Sequence, residues 1–197
     1  MESVLGVLVG LGLAASCGFR VFVPLLIASV ATRAGFVEPA EGFAWLGSWG
    51  ALIALAIATV VEIGAYYIPW LDNALDTAAS PAAAVAGTVL FAAMVTDFDP
   101  FLQWSLAIIA GGGAAAVVQG GTVATRAAST ATTGGTANFL FNTIETGVGF
   151  LFSILSIAVP VVAIVLLVAM IVALYYTGRK VFQRLFARGS KVSTDQI

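Results

Sequence analysis

From Phe139 to Tyr176 the chain reads FLFNTIETGVGFLFSILSIAVPVVAIVLLVAMIVALYY, 38 residues that carry a single charge, Glu145. A helix rises ~1.5 Å per residue, so this stretch reaches about twice across a hydrocarbon core of ~30 Å. It must therefore hold two membrane-crossing helices. The break between them is expected near Ser156 to Pro160, where serine and proline are the only turn-forming residues on offer.

Working outward, the same reading repeats. Before this stretch, Phe101 to Arg126 is a span carrying Gly111-Gly112-Gly113 and Gly120-Gly121, introduced by the acidic turn Thr96-Asp97-Phe98-Asp99-Pro100. A short span from about Pro81 to Val95 precedes that turn and could begin inside the polar segment Leu71 to Thr77. A span from about Leu46 to Trp70 lies before it, entered through the aromatic edge Phe43, Trp45 and Trp49, whose rings suit the headgroup level. The first apolar run, Val4 to Ala31, is interrupted by Ser16-Cys17-Gly18-Phe19-Arg20 and by Pro24, which predicts a bent or broken helix. The expected fold is an all-α, polytopic transmembrane bundle of about six spans with broken or re-entrant segments. Laying Ala58–Leu90 on Ala115–Gly147 also gives a weak internal repeat, with Glu62 on Gln119, Asp72 on Ser129 and Asp76 on Thr133.

Composition agrees. Of 197 residues, 60% are hydrophobic and only 9% charged, too little polar material to coat a water-soluble globule. The mean hydropathy is +1.06. Residues 1–178 form one membrane domain, and residues 179–197 a basic amphipathic tail holding Arg179, Lys180, Arg184, Arg188 and Lys191. By the positive-inside rule this tail places both termini of a six-span chain in the cytoplasm, facing anionic lipid. The net charge of −2 argues against nucleic acid as a partner. With no histidine and Cys17 as the lone cysteine, neither a metal site nor a cofactor is expected. Cys17 follows Leu13-Ala14-Ala15-Ser16, a loose likeness to a lipoprotein cleavage box, but Met1-Glu2-Ser3 lacks the positive start of a signal peptide.

The residues that cost most to bury carry the functional signal. Arg20 falls near mid-membrane, where an arginine costs ~2.5 to 3.5 kcal/mol, so it requires compensation. An ion pair with Glu62, Asp76 or Glu145 would supply it, as would snorkelling to an interface; alternatively Arg20 serves an anion or proton-coupling site. Glu62, Tyr66, Pro69, Asn73 and Asp76 recur at spacings of four, three, four and three, one face of a helix that continues past Pro69. Gln119, Thr122, Arg126, Ser129 or Thr130, and Thr133 make a second stripe; Asn138, Asn142 and Glu145 make a third. These stripes either satisfy one another or line a shared polar cavity. The run Ser129 to Asn138, with Thr130, Thr132, Thr133 and the pair Gly134-Gly135 but no charge, reads as a re-entrant or unwound segment closing that cavity against Asp72 and Asp76; an ordinary loop has the same composition. Gly6 with Gly10, and the Gly111 triplet, predict close helix contact.

In combination, Gly18-Phe19-Arg20…Pro24, Glu62…Pro69…Asp72…Asp76 and Arg126…Ser129-Thr130-Ala131-Thr132-Thr133-Gly134-Gly135…Asn138…Glu145 resemble a bacterial integral-membrane family catalogued as domain of unknown function four-one-two-six. The resemblance spans nearly the whole chain. It implies a shared polar core and a bacterial inner (plasma) membrane as the setting, supplies no activity, and implies a histidine near the position of Gln119 that this chain lacks. The leading functional expectation is a small-solute or ion transporter or channel. A non-transporting subunit or assembly factor of a larger membrane complex, with homo-oligomers included, comes second, and a lipid-acting enzyme third.

Overall fold

The structure, a computed structural model, describes residues 2–134 and 136–192, excluding the side chains at positions 2–3, 69–70, 72–74, 177–178 and 180–192. Among the described residues it is predominantly helical, with no strand. The helices are α1 (Glu2–Ser16), α2 (Phe22–Arg33), α3 (Trp49–Ala65), α4 (Pro69–Met94), α5 (Pro100–Leu106), α6 (Gly113–Thr133), α7 (Asn138–Ala158) and α8 (Pro160–Val192). A 3-10 turn, Glu41–Gly47, leads into α3, and a π-helical segment, Ala107–Gly112, joins α5 to α6.

Three stretches are long and apolar enough to cross a bilayer, Leu75–Met94, Pro100–Thr133 and Asn138–Ala158. Glu41–Gly47 with Trp49–Ala65, bent by 66°, makes a fourth if the pair is one span. Val4–Ser16, Phe22–Arg33 and Pro160–Tyr176 are shorter apolar helices. The first apolar run is broken as its sequence predicts, at Cys17–Val21, and the last pair divides at Val159, directly before Pro160.

Two expectations change. The polar stripe of Glu62 to Asp76 does not run along one helix, because α3 ends at Ala65 and Pro69 opens α4, so the polar segment Leu71 to Thr77 is the first part of a 26-residue helix. Proline at the first helical position lacks an N–H that would have no partner there anyway, so it starts a helix more readily than it continues one. The helix breaks inside the two copies of the suggested repeat, Tyr66–Ile68 and Gly134–Ala137, also do not superpose under the 57-residue shift that aligns the sequences, since the first would fall inside α6. Of the basic tail, α8 carries the backbone to Val192, Arg179 is exposed, and the side chains of Lys180, Arg184, Arg188 and Lys191 lie outside the described residues.

Small residues let the central helices approach closely, and many large apolar residues face outward. Helix α1 sits centrally, packed against α4, α6, α7 and α8. Its close approach to α4 uses the Gly6 and Gly10 pair: a Cβ at Gly6 would collide with the Met94 carbonyl oxygen, and one at Gly10 would lie 3.3 Å from Phe91 Cα. In α4, Gly87 faces the π-helical segment, where a Cβ on Gly111 would come 2.5 Å from Phe91 Cβ. Ile53, Ile57, Val60 and Val61 of α3, Leu140, Ile144 and Leu151 of α7, and Val161, Val165 and Val168 of α8 are exposed, as befits a molecule whose solvent is lipid.

Candidate functional site

The break between α1 and α2 puts a cation in the middle of the bundle. The chain leaves helical geometry after Ser16, whose carbonyl accepts the Phe19 and Arg20 N–H groups, and Arg20 turns inward, 1% exposed. Helix α7 meets it with one face, Asn142, Glu145, Thr146 and Gly149, at the spacing of helical neighbours. Gly149 packs beside it: a Cβ there would make ordinary contacts, 3.4 Å from Phe19 Cβ and 3.9 Å from Arg20 Cβ. The Arg20 Nε donates to Thr146 Oγ1 at 3.0 Å, its Nη2 donates to the Asn142 carbonyl at 3.0 Å, and its Nη1 lies 3.7 Å from Glu145 Oε2.

A second buried guanidinium, Arg126 of α6, completes the network at 2% exposure. Its Nη2 pairs with Asp76 Oδ1 of α4 at 2.6 Å, and its Nη1 lies 3.4 Å from the same Glu145 oxygen that faces Arg20. One carboxylate oxygen thus serves two cations. Tyr66, at the α3–α4 break, presents its ring to both, with guanidinium carbons 4.0 Å (Arg20) and 4.9 Å (Arg126) from the ring centroid. Asn142 ties the parts together. Its Nδ2 donates to the Tyr66 carbonyl at 2.8 Å, its Oδ1 accepts from Arg126 Nη1 at 3.3 Å, and its own carbonyl accepts from Arg20 and from Thr146. A carbonyl freed by one helix break is thereby satisfied by a neighbouring span.

Glu62 adjoins this network with a different task. Its two carboxylate oxygens accept the Val21 and Phe22 N–H groups at 2.7 and 3.0 Å, capping the start of α2 from a neighbouring helix. The expected partner of Arg20 is therefore Glu145, with Glu62 committed to backbone.

The sequence-derived candidates divide. Arg20, Asp76, Arg126, Asn142 and Glu145 converge, with Glu62 beside them. Gln119 and Ser129 are buried on α6, and neither Gln119 Nε2 nor Ser129 Oγ has a hydrogen-bond partner among the described residues. Thr130 accepts from Asn138 Nδ2 at 2.9 Å. Thr132 and Thr133 are exposed, and their hydroxyls bond carbonyls of their own helix, Ala128 and Ser129. The re-entrant segment is therefore corrected: α6 continues to Thr133 and closes on Gly134 in the left-handed region, φ 65°, before a short turn to α7. Serine and threonine hydroxyls satisfied by carbonyls one turn back let a polar run remain helical. The Asp72 side chain lies outside the described residues. Tyr66 and Thr146 were not among the candidates. Tyr66 stood on the acidic stripe and could have been chosen for its place one turn from Glu62; Thr146 had only its spacing of four from Asn142.

Residues 7–180 match the family described as Domain of unknown function (DUF4126). The chain belongs to that family. The match runs from α1 into α8 and so takes in every member of the DUF4126 chain's arginine network. No curated protein and no solved structure matches the chain.

Proposed function

We propose that this DUF4126 protein moves a small solute or ion across the membrane, using the Arg20–Glu145–Arg126–Asp76 network as its site. The observation that carries this reading is the single Glu145 oxygen shared by two buried guanidinium groups at a helix break. Charged side chains inside a bilayer are costly, and where they gather on broken helices they commonly line a pathway. The contacts to Glu145 are longer than the Arg126–Asp76 pair, so Glu145 is the member a small anion would most readily replace. The setting we infer is a bacterial plasma membrane with both termini cytoplasmic, supported by the basic tail.

A second reading, a non-transporting subunit of a larger membrane complex, draws on the same geometry: the guanidinium groups have intramolecular partners, as a structural lock would. Purified protein in liposomes separates the two. Chloride and formate flux, followed with an entrapped anion-sensitive dye and an entrapped pH dye respectively, is expected to exceed that of protein-free liposomes at least tenfold and to fall with Arg20→Lys. Flux equal to that of empty liposomes for both ions, from a protein that remains folded, would leave the subunit reading in its place.

A further inference from the structure

A cavity of about 460 Å³ lies between the start of α2, one face of α3 and the first half of α4, and adjoins the arginine network through Tyr66, which lines it. Its volume falls within the ~300 to 1,000 Å³ usual for small-molecule sites. Alanines account for its existence: Ala54, Ala58 and Ala65 on α3 oppose Ala78, Ala79 and Ala82 on α4, and methyl groups leave open a gap that leucines would fill. Ile57 and Val61 line it and are exposed on the outer surface, so it opens sideways toward the lipid.

Among the described residues, the one charged side chain in this lining is Glu62, 8% exposed. Among the described residues it makes no ion pair within 4.0 Å. Its partners are the Val21 and Phe22 N–H groups. An ionised carboxylate offers about four acceptor positions, so these two donors leave acceptor capacity unused, in a slot whose other lining residues are apolar except for Tyr66. We propose that this crevice binds a single-chain amphiphile with a cationic ammonium head, the head at Glu62 and the tail along α3 toward Ala54. Charge selects the occupant: an ammonium brings N–H donors and a positive charge into direct contact with Glu62, which Arg20 reaches only from beyond ion-pair distance, whereas an anionic or zwitterionic lipid head would set a phosphate against a carboxylate. From Glu62 to Ala54 the slot runs ~12 Å at 1.5 Å per residue, which suits a chain of eight to ten carbons.

Decylammonium and decanol, equal in tail and different in head, test this on the full chain in lipid nanodiscs, with bound copies counted by native mass spectrometry. One decylammonium should bind, at least tenfold more tightly than decanol. Glu62→Gln should bring decylammonium down to the level of decanol, and the double variant A58L/A79L, which fills the slot and keeps Glu62, should weaken decylammonium at least tenfold. Equal binding of the two probes to the unaltered chain would overturn the proposal, showing a slot for lipid tails without head recognition. Undiminished decylammonium binding by folded A58L/A79L would also overturn it. None of these outcomes depends on whether the arginine network transports anything.

Discussion

Burying an arginine at the bilayer centre costs ~2.5 to 3.5 kcal/mol on insertion scales, and this chain buries two. The cost made Arg20 legible in the sequence as a residue requiring compensation. Which acid would compensate it was not legible, because Glu62, Asp76 and Glu145 all lay at plausible heights and the choice depends on packing. Glu62 serves the amides at the start of α2, Asp76 serves Arg126, and Glu145 is left to stand between the arginines. Removing a partner from such a set strands buried charge, which typically costs ~3 to 5 kcal/mol. Arg126→Met, which keeps most of the volume while leaving Asp76 without this ion pair, should lower stability by about that much. Its measure is the unfolding midpoint in detergent, compared with Arg33→Met. Arg33 is surface-exposed over the Trp49 ring, so its loss should be nearly silent. Equal midpoints for the two variants would mean that water reaches the network and screens it.

Helix limits show where sequence reading succeeds and where it does not. Pro160 marks the α7–α8 division because nothing nearby competes with it as a breaker, and Gly18 with Arg20 marks the α1–α2 break. Pro69 misled, since the periodic polar residues on either side suggested continuity across a position where proline in fact begins a helix. The Ser129 to Thr133 run misled in the opposite sense: its hydroxyls fold back onto their own helix. The glycine triplet was read correctly as a packing surface, and structure divides its labour. At Gly111 a Cβ would meet Phe91 Cβ at 2.5 Å and the Gly87 carbonyl at 2.7 Å, whereas at Gly113 nothing lies within 4 Å. Gly111→Ala should therefore destabilise by ~1 to 3 kcal/mol through overpacking. Gly113→Ala should stabilise by up to ~1 kcal/mol, because alanine is the better helix former. Thermal unfolding of the two variants side by side checks both signs, and a common direction of change would refute the division.

For the molecule as a whole, Pro100–Thr133 is the longest of the three candidate spans among the described residues, and it separates the loop around Phe98 from the turn around Thr136. The two should lie on opposite sides of the membrane. The native thiol does not confuse the measurement, since Cys17 is fully buried. Cysteines placed singly at Phe98 and Thr136 should react with an impermeant maleimide from opposite faces of sealed vesicles; labelling of both from one face would mean that the passage does not cross. A last consequence concerns biogenesis. Asn142, Glu145 and Thr146 all belong to α7, whereas the arginines they hold enter the membrane earlier, in α6 and before α2. Until α7 is synthesised, the Arg20 guanidinium lacks every hydrogen-bond and ion-pair partner described for it, and a nascent chain must wait in the translocon's shelter or recruit an insertase to mask the charge. Chains halted before Asn138 should consequently be captured by membrane quality-control proteases, while those halted after Ala158 should escape them.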